Sequence, residues 1–400
     1  MIQASSISQP KKLTVCYFGT YRNQYARYKV LSGALKAADV EIKDCHAKLW
    51  HSIEDREKVA GGGWFSPVFW FRLIVAYLKL IVKFAKIGHY DVMLVGYPGQ
   101  LDIFLARFLN YFRGNKPLAL DILMSLYLVA LEREIDKKSK FSVKLLKKLE
   151  NRSLRVPDLL IHDTPEYVGW LGETYGLSPE RFYLVPLSAD QSVFTEPLKR
   201  ELDSNTFNIL YYGTFIHNHG VDKIVKTAQL LRDIEKLHFY LVGDGPERSK
   251  AERFVEEQGL SNVHFLGWKN QHELIEIMEK MNLAFGPFGD TPQSMMTVQN
   301  KLYECMAMGL PLLIGESPAT LRQFGLDRLA TLSKRTPDVM ADAIRAMMQD
   351  PERLEMMAGA AREEYEEKYA LKVLGAGLRK EFERLIVNIK SIRDRNKKLD

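Results

Sequence analysis

The first periodic stretch of the chain, LTVCYFGTYR, is a short β-rich run ending in Gly-Thr. Helical spacing follows from about Tyr25 to Ala38, and VEIKDCH reads as a second strand, which makes a βαβ opening. YDVMLVGYP, KPLALDIL and DLLIHDT read as further strands separated by helical periodicity, and FYLVPLS follows them. A polar stretch, TEPLKRELDSN, reads as a linker. The alternation then restarts with FNILYYGTF, a helix near Asp222 to Arg232, LHFYLVGDGP, NVHFLGW, NLAFGPF, a helix around Tyr303 and PLLIG. Strands alternating with helices imply parallel sheets covered on both faces. The expected fold is α/β, with two doubly wound, Rossmann-like domains over residues 1–195 and 205–370 facing a central cleft outside the carboxyl ends of both sheets. Residues 371–400 read as a charged helix, either solvated or packing back on the first domain.

One segment breaks the pattern. From Trp64 to Ile87 the chain reads WFSPVFWFRLIVAYLKLIVKFAKI, as long as a membrane span but carrying four positive charges. On a helix Arg72, Lys79, Lys83 and Lys86 fall on one stripe, a pattern suited to a helix lying in an anionic interface. Trp64, Phe65, Phe69, Trp70 and Phe71 would then sit at headgroup depth. The alternative is a sheet-covering helix with one wet face.

Charge sharpens this reading. The net charge of +6 divides into +13 over residues 1–155 and −7 over residues 156–400. The first half is expected to meet something anionic. A second basic run across residues 137–155 fits anionic lipid, and the aromatics are packed into an apolar run and not interleaved as base-stacking platforms, so nucleic acid is not expected. Cys16, Cys45 and Cys305 are too few and too scattered for a disulfide framework or a metal cluster. With no signal-peptide order at MIQASSISQPKK, a cytoplasmic protein peripheral to the inner membrane face is expected.

The second half carries the more specific motif, KLYECMAMGLPLLIG from Lys301. Lys301 and Glu304 share a helix face, and the start of that helix offers free amides and a positive dipole end to a diphosphate, while Glu304 can accept from ribose hydroxyls. Here the sequence resembles the GT-B glycosyltransferases, and among them the retaining family 4, over roughly residues 205–320. YYGTFIHNHGVDKIVKTAQLL, LVGDGPERSKAERF and NVHFLGWKNQHELIEIM look like that family's successive strand-turn-helix units. The resemblance implies a nucleotide near Gly213, Thr214, His219, Gly243, Trp268, Asn300, Lys301, Leu302 and Glu304, with Trp268 by the base. It implies a UDP- or GDP-sugar donor, retention of configuration, and no required metal, in keeping with the lack of an Asp-x-Asp motif.

Alternatives stay open at several of these positions. Gly243 and Gly245 read more readily as turn glycines than as ligand contacts, and the alternatives are packing for Trp268 and solvated loop residues for His217 and His219. The sequence also departs from the family's pattern. Met296 stands where the family usually has its first Glu, and Thr214 and His219 stand where it often has Arg and Lys. Lys301 would then supply the phosphate charge.

In the first half, Gly19 and Thr20 end a strand and read either as a place where backbone can approach a ligand or as a simple turn, and Asp121 ends another and is the candidate to bind or deprotonate an acceptor hydroxyl. His162, Asp163 and Thr164 are weaker candidates of that sort, or a helix cap. The function that the resemblance implies is transfer of a sugar from a nucleotide diphosphate donor to a lipid-linked or polysaccharide acceptor at the cytoplasmic membrane face, with Asp121, Lys301 and Glu304 as the expected catalytic group. The rival readings are a catalytically silent scaffold at the membrane and a sugar-nucleotide epimerase. A hydride-transfer enzyme is disfavoured because no G-x-G-x-x-G follows either first strand.

Overall fold

The computed structural model describes residues 12–49, 66–325 and 328–396. The chain forms two compact units. The first comprises the residues up to His162, Leu177–Val185 and the segment from Leu371, and the second comprises Asp163–Gly176 and Pro186–Ala370. The chain therefore passes between units at four places, and the stretch 163–176 joins the second unit ahead of the polar linker.

In the first unit six parallel strands, β1 (Thr14–Gly19), β2 (Glu41–His46), β3 (Val92–Val95), β4 (Leu118–Asp121), β5 (Leu159–His162) and β6 (Phe182–Leu184), lie in the order β2-β1-β3-β4-β5-β6. The central strands β1, β3, β4 and β5 are buried along their whole length, which accounts for their unbroken apolar runs. Helix α1 (Ala26–Ala37) crosses from β1 to β2, and α2 (Pro67–Lys86) and α3 (Asp102–Tyr111) make the crossings on either side of β3. Between β4 and β5 come α4 (Leu126–Glu132), α5 (Ile135–Lys138) and α6 (Lys140–Ser153).

In the described part of the segment from Trp64 to Ile87, one face of α2 is buried, through Phe69, Leu73, Ala76, Leu80 and Phe84, so Phe69 faces the core and not a headgroup layer. Trp64 and Phe65 lie outside the described residues. No described helix is long and apolar enough to cross a membrane. The C-terminal segment forms a single helix from Leu371 to Asn396, whose Leu378, Phe382 and Leu385 share a core with Leu31 and Leu35 of α1.

The second unit begins with α7 (Pro165–Tyr175) and has the parallel sheet order β12-β11-β10-β7-β8-β9. Its strands are β7 (Phe207–Tyr212), β8 (Leu237–Val242), β9 (Val263–Gly267), β10 (Leu283–Phe285), β11 (Leu312–Gly315) and β12 (Thr331–Ser333). Helices α8 (Val221–Leu230), α9 (Arg248–Glu257), α10 (Gln271–Met278) and α11 (Pro292–Met296) precede α12 (Asn300–Met308), the helix predicted around Tyr303. Beyond it come α13 (Pro318–Phe324), α14 (Pro337–Met348) and α15 (Pro351–Glu364). Ile209, Tyr211, Phe239, Leu241, Phe285 and Leu313 form the centre of its core.

Doubly wound sheets bind ligands where the strand order reverses. In the first unit that point lies between β1 and β3, and in the second between β7 and β10.

Candidate functional site

The switch point of the second unit gathers most of the residues singled out in the sequence. Lys301, in the first turn of α12, is 6% exposed, and its Nζ has no hydrogen-bond partner. That ammonium lies 4.2 Å from the centroid of the Tyr211 ring and 5.8 Å from that of Tyr212, and it points to the end of β7, 3.1 Å from where a Cβ on Gly213 would stand. Any larger residue at 213 would fill the space in front of the lysine. Burial lowers the Lys301 ammonium from its ordinary value to about 7, against the opposing pull of Cys305 and Glu304.

Glu304, one turn on, is held from two sides. Its Oε2 accepts from the Tyr212 hydroxyl at 2.9 Å, and its Oε1 accepts from Asn300 Nδ2. Burial raises its carboxyl above the usual range, and the two hydrogen bonds and Lys301 oppose that shift. A carboxylate keeps lone pairs beyond these two bonds, so it can still accept from a hydroxyl. The Tyr212 hydroxyl also lies 3.1 Å from the Lys301 carbonyl, which fixes the first turn of α12 to β7. Leu302 contributes differently from the expectation that it lines the ligand. Its side chain is fully buried against Gly286, and its amide donates to the Gln299 carbonyl.

His219 sits in a short 3-10 turn, with Nδ1 2.9 Å from the Tyr211 hydroxyl. Burial, reinforced by the Lys301 charge, pushes its imidazole well below the ordinary value, so it is neutral at pH 7. Tyr211 thus links Lys301, through its ring face, to His219 and the Thr214 carbonyl, through its hydroxyl. Sequence reasoning passed over both tyrosines, because an apolar-strand pattern gives no sign of which aromatic ends at a site.

Gly243 follows β8 with φ +135°, and its amide donates to the Gly267 carbonyl. A Cβ there would stand 1.9 Å from the Gly213 carbonyl oxygen. It is glycine because the turn after β7 lies directly on it, and this close packing holds the loop that faces Lys301. Trp268 follows β9 and is 67% exposed, so it is not packing as such and stands free at the strand end. Met296 ends α11, and its carbonyl accepts the Thr164 hydroxyl at 2.7 Å.

The first unit's switch point is occupied by the chain itself. Asp102, at the start of α3, is 1% exposed and accepts from the Thr20 amide at 2.5 Å and the Thr20 hydroxyl at 2.9 Å, with Tyr77 of α2 bonded to it as well. Gly19, at φ +130°, leaves room for it, since a Cβ there would come 2.7 Å from Asp102 Oδ2. Thr20 therefore binds an internal carboxylate, in the room that Gly19 leaves, where a dinucleotide fold would bind phosphate, and an anionic ligand there would face a like charge.

Burial raises Asp102 from 3.8 to about 6. A carboxyl raised in the folded state favours folding while protonated, and that contribution is lost as pH rises from about 4 through about 6. Asp102→Asn should flatten this part of the stability-versus-pH profile, by about 2 kcal/mol between pH 4.5 and 7, which denaturant titrations at those two values would show. An unchanged slope would assign it to other groups.

Asp121 ends β4 but is fully buried beside Arg27, whose Nε donates to Oδ1 at 2.9 Å and whose Nη2 lies 2.7 Å from the same oxygen. Arg27 Nη1 donates to the Val185 carbonyl. His162 is fully buried, and Thr164 precedes α7 without capping it, because its hydroxyl goes to Met296.

The two parallel six-stranded sheets and their helices are the fold of the GT-B glycosyltransferases. Sucrose-phosphate synthase of Thermosynechococcus elongatus superposes with a TM-score of 0.70 over 94% of this chain and 100% of that one, at 15% identity. HepE of Anabaena in complex with UDP does so with a TM-score of 0.65 over 94% and 100%, at 12% identity. By sequence, residues 206–350 match the family model of the Glycosyl transferases group 1. Alpha-D-kanosaminyltransferase of Streptomyces kanamyceticus is 29% identical over 170 residues, 42% of this chain and 43% of that protein. The chain's matched segment spans less than half the length of that relative.

Proposed function

We propose that the protein transfers a sugar from a nucleotide diphosphate donor, with the donor on the second unit. The observation that carries the reading is the Lys301 ammonium, buried without a hydrogen-bond partner at the switch point and at the start of α12. A buried cation without a hydrogen-bond acceptor is unfavourable unless something else satisfies it. A diphosphate would, with Lys301 and the first-turn amides stabilising the charge on the leaving group, in preorganised fashion and without a required metal. Thr214 and His219 stand beside it, the neutral imidazole as a hydrogen-bond partner and not a second cation. Glu304 is assigned to the ribose hydroxyls. The donor is a UDP- or GDP-sugar, in line with the UDP bound by HepE.

The resemblance to family 4 supports retention of configuration. The acceptor is proposed to be a lipid-linked or polysaccharide glycan at the cytoplasmic membrane face, met by the basic first half through residues 64–87 and 137–155. The silent-scaffold reading draws on Met296, which puts a thioether where the family's sugar-binding carboxylate would be.

A thermal-shift panel of UDP, GDP, ADP and their sugar conjugates tests the donor site, with Glu304→Ala alongside. A ligand specific to the folded state adds about 2.7 kcal/mol at a hundredfold excess over its dissociation constant. Stabilisation of the wild type by one diphosphate, lost in the variant, supports the site, and no stabilisation by any of them overturns it. Release of free sugar or nucleoside diphosphate from the stabilising donor separates an enzyme from a scaffold.

A further inference from the structure

We propose that α2 and α3 together form a two-helix face that inserts into the surface of an anionic lipid bilayer, with the aromatic ridge of α3 as its second edge. The proposal deepens the membrane reading above and goes beyond the basic stripe on which that reading rests.

Helix α2 has three faces. Its core side carries Phe69, Leu73, Ala76, Leu80 and Phe84. The side opposite would ordinarily be polar, yet Trp70, Phe71, Ile74, Leu78 and Val82 all stand there exposed, Phe71 by 68%. At 100° per residue they cover an arc of roughly 120° centred on the far side from the core. Arg72, Lys79, Lys83 and Lys86 lie in the gap between the two, along one border of the outward apolar face.

Helix α3 repeats the arrangement. Ile103 and Ala106 are buried, while Phe104, Phe108, Tyr111 and Phe112 project outward at spacings of four, seven and eight residues, with Phe108 60%, Tyr111 70% and Phe112 69% exposed. The two helices are tied together twice. Tyr77 of α2 bonds to Asp102 at the start of α3, and Arg113, just past the end of α3, donates to the Ala85 carbonyl at 3.0 Å and lies over the Phe84 ring. Their ridges are therefore parts of one surface.

Exposed apolar side chains in such number mark an interaction site, and the charges select its occupant. The two helices carry one carboxylate between them, Asp102, and it is buried. Every exposed charge on them or at the end of α3 is positive, which complements phospholipid headgroups, and basic residues bordering an apolar, aromatic face suit a monotopic surface in an anionic interface.

The test is co-sedimentation of the full chain with phosphatidylcholine vesicles and with vesicles containing phosphatidylglycerol, without any sugar nucleotide, so that its failure is separate from failure of the donor site. The wild type should partition to the anionic vesicles at least about tenfold better than to the neutral ones. Phe108→Glu with Phe112→Glu should weaken that partition at least about tenfold, while Phe108→Trp with Phe112→Trp keeps it. Both positions are exposed, so thermal melts should match the wild type, and Tyr111→Glu serves as a milder variant.

Equal binding by the Glu variant and the wild type would overturn the role of α3. A wild type that ignores both vesicles, but sediments in analytical ultracentrifugation as a dimer dissociated by the same Glu pair, would assign the face to a second copy of this chain and overturn the proposal.

Discussion

Lys301→Met should yield a protein that is more stable than the wild type at pH 7 and binds its donor at least about a hundredfold more weakly. The ammonium, held at about 7 in the folded protein, titrates at 10.5 when exposed. The unfolded chain therefore binds more protons between those values, so the contribution of this lysine to stability is least favourable at pH 7 and below and improves as pH rises toward 10. The shift corresponds to at most about 5 kcal/mol, and the contact with the Tyr211 face already acts against it. Methionine has similar length and no charge to desolvate, so melts at pH 7 should favour the variant, and the gap should close by pH 9.5.

Donor binding should respond in the opposite sense, because a diphosphate pairs with the protonated lysine. Above pH 7 the wild type must take up a proton to bind, and its affinity should fall about tenfold per pH unit. Nucleotide sugars carry no titrating phosphate in this range, so the part of the slope that is lost in the variant belongs to Lys301. Calorimetric titrations of both proteins at pH 7, 8 and 9 measure it. A variant less stable than the wild type at pH 7, with unchanged donor affinity, would make Lys301 a structural residue.

Much of this site was legible because its parts lie close together in the chain. Lys301 and Glu304 are three residues apart on one helix, and Gly213 and Gly243 end strands whose apolar runs are unmistakable. What the sequence hid is long-range. Asp102 meets Thr20 across 82 residues, and Thr164 meets Met296 across 132, so neither a strand pattern nor a cap motif reveals that these groups are already engaged. The same holds for the assignment of 163–176 to the second unit, where Glu166 and Arg322, 156 positions apart, form a two-bond ion pair.

Arg27 could have been found. It lies one turn ahead of Val30 and Leu31 on the buried face of α1, and a charge at a core position calls for a buried partner. The apolar periodicity of α2 was also visible, but periodicity alone does not tell a core face from an outward one when both are apolar.

Asp121→Asn should destabilise the first unit by about 3–5 kcal/mol, a loss of roughly 10 °C in melting temperature. Asp121 ends its strand as a catalytic carboxylate would, yet it is fully buried, with Arg27 in contact through two nitrogens and a third nitrogen of that arginine on the Val185 carbonyl. The pair joins α1, β4 and the segment after β6. Neutralising the carboxylate leaves the guanidinium buried without its counter-charge, which is what makes breaking such a pair unfavourable. Replacing both partners with apolar residues of similar volume, Arg27→Met with Asp121→Leu, should restore most of the stability, because both charges are then gone. Denaturant titration of the two single variants and the double variant measures the coupling. A strongly positive coupling makes Asp121 a structural anchor of the first unit. If Asp121→Asn melts like the wild type but abolishes sugar transfer, the carboxylate belongs to the chemistry after all, and Arg27 is there to hold it for the acceptor.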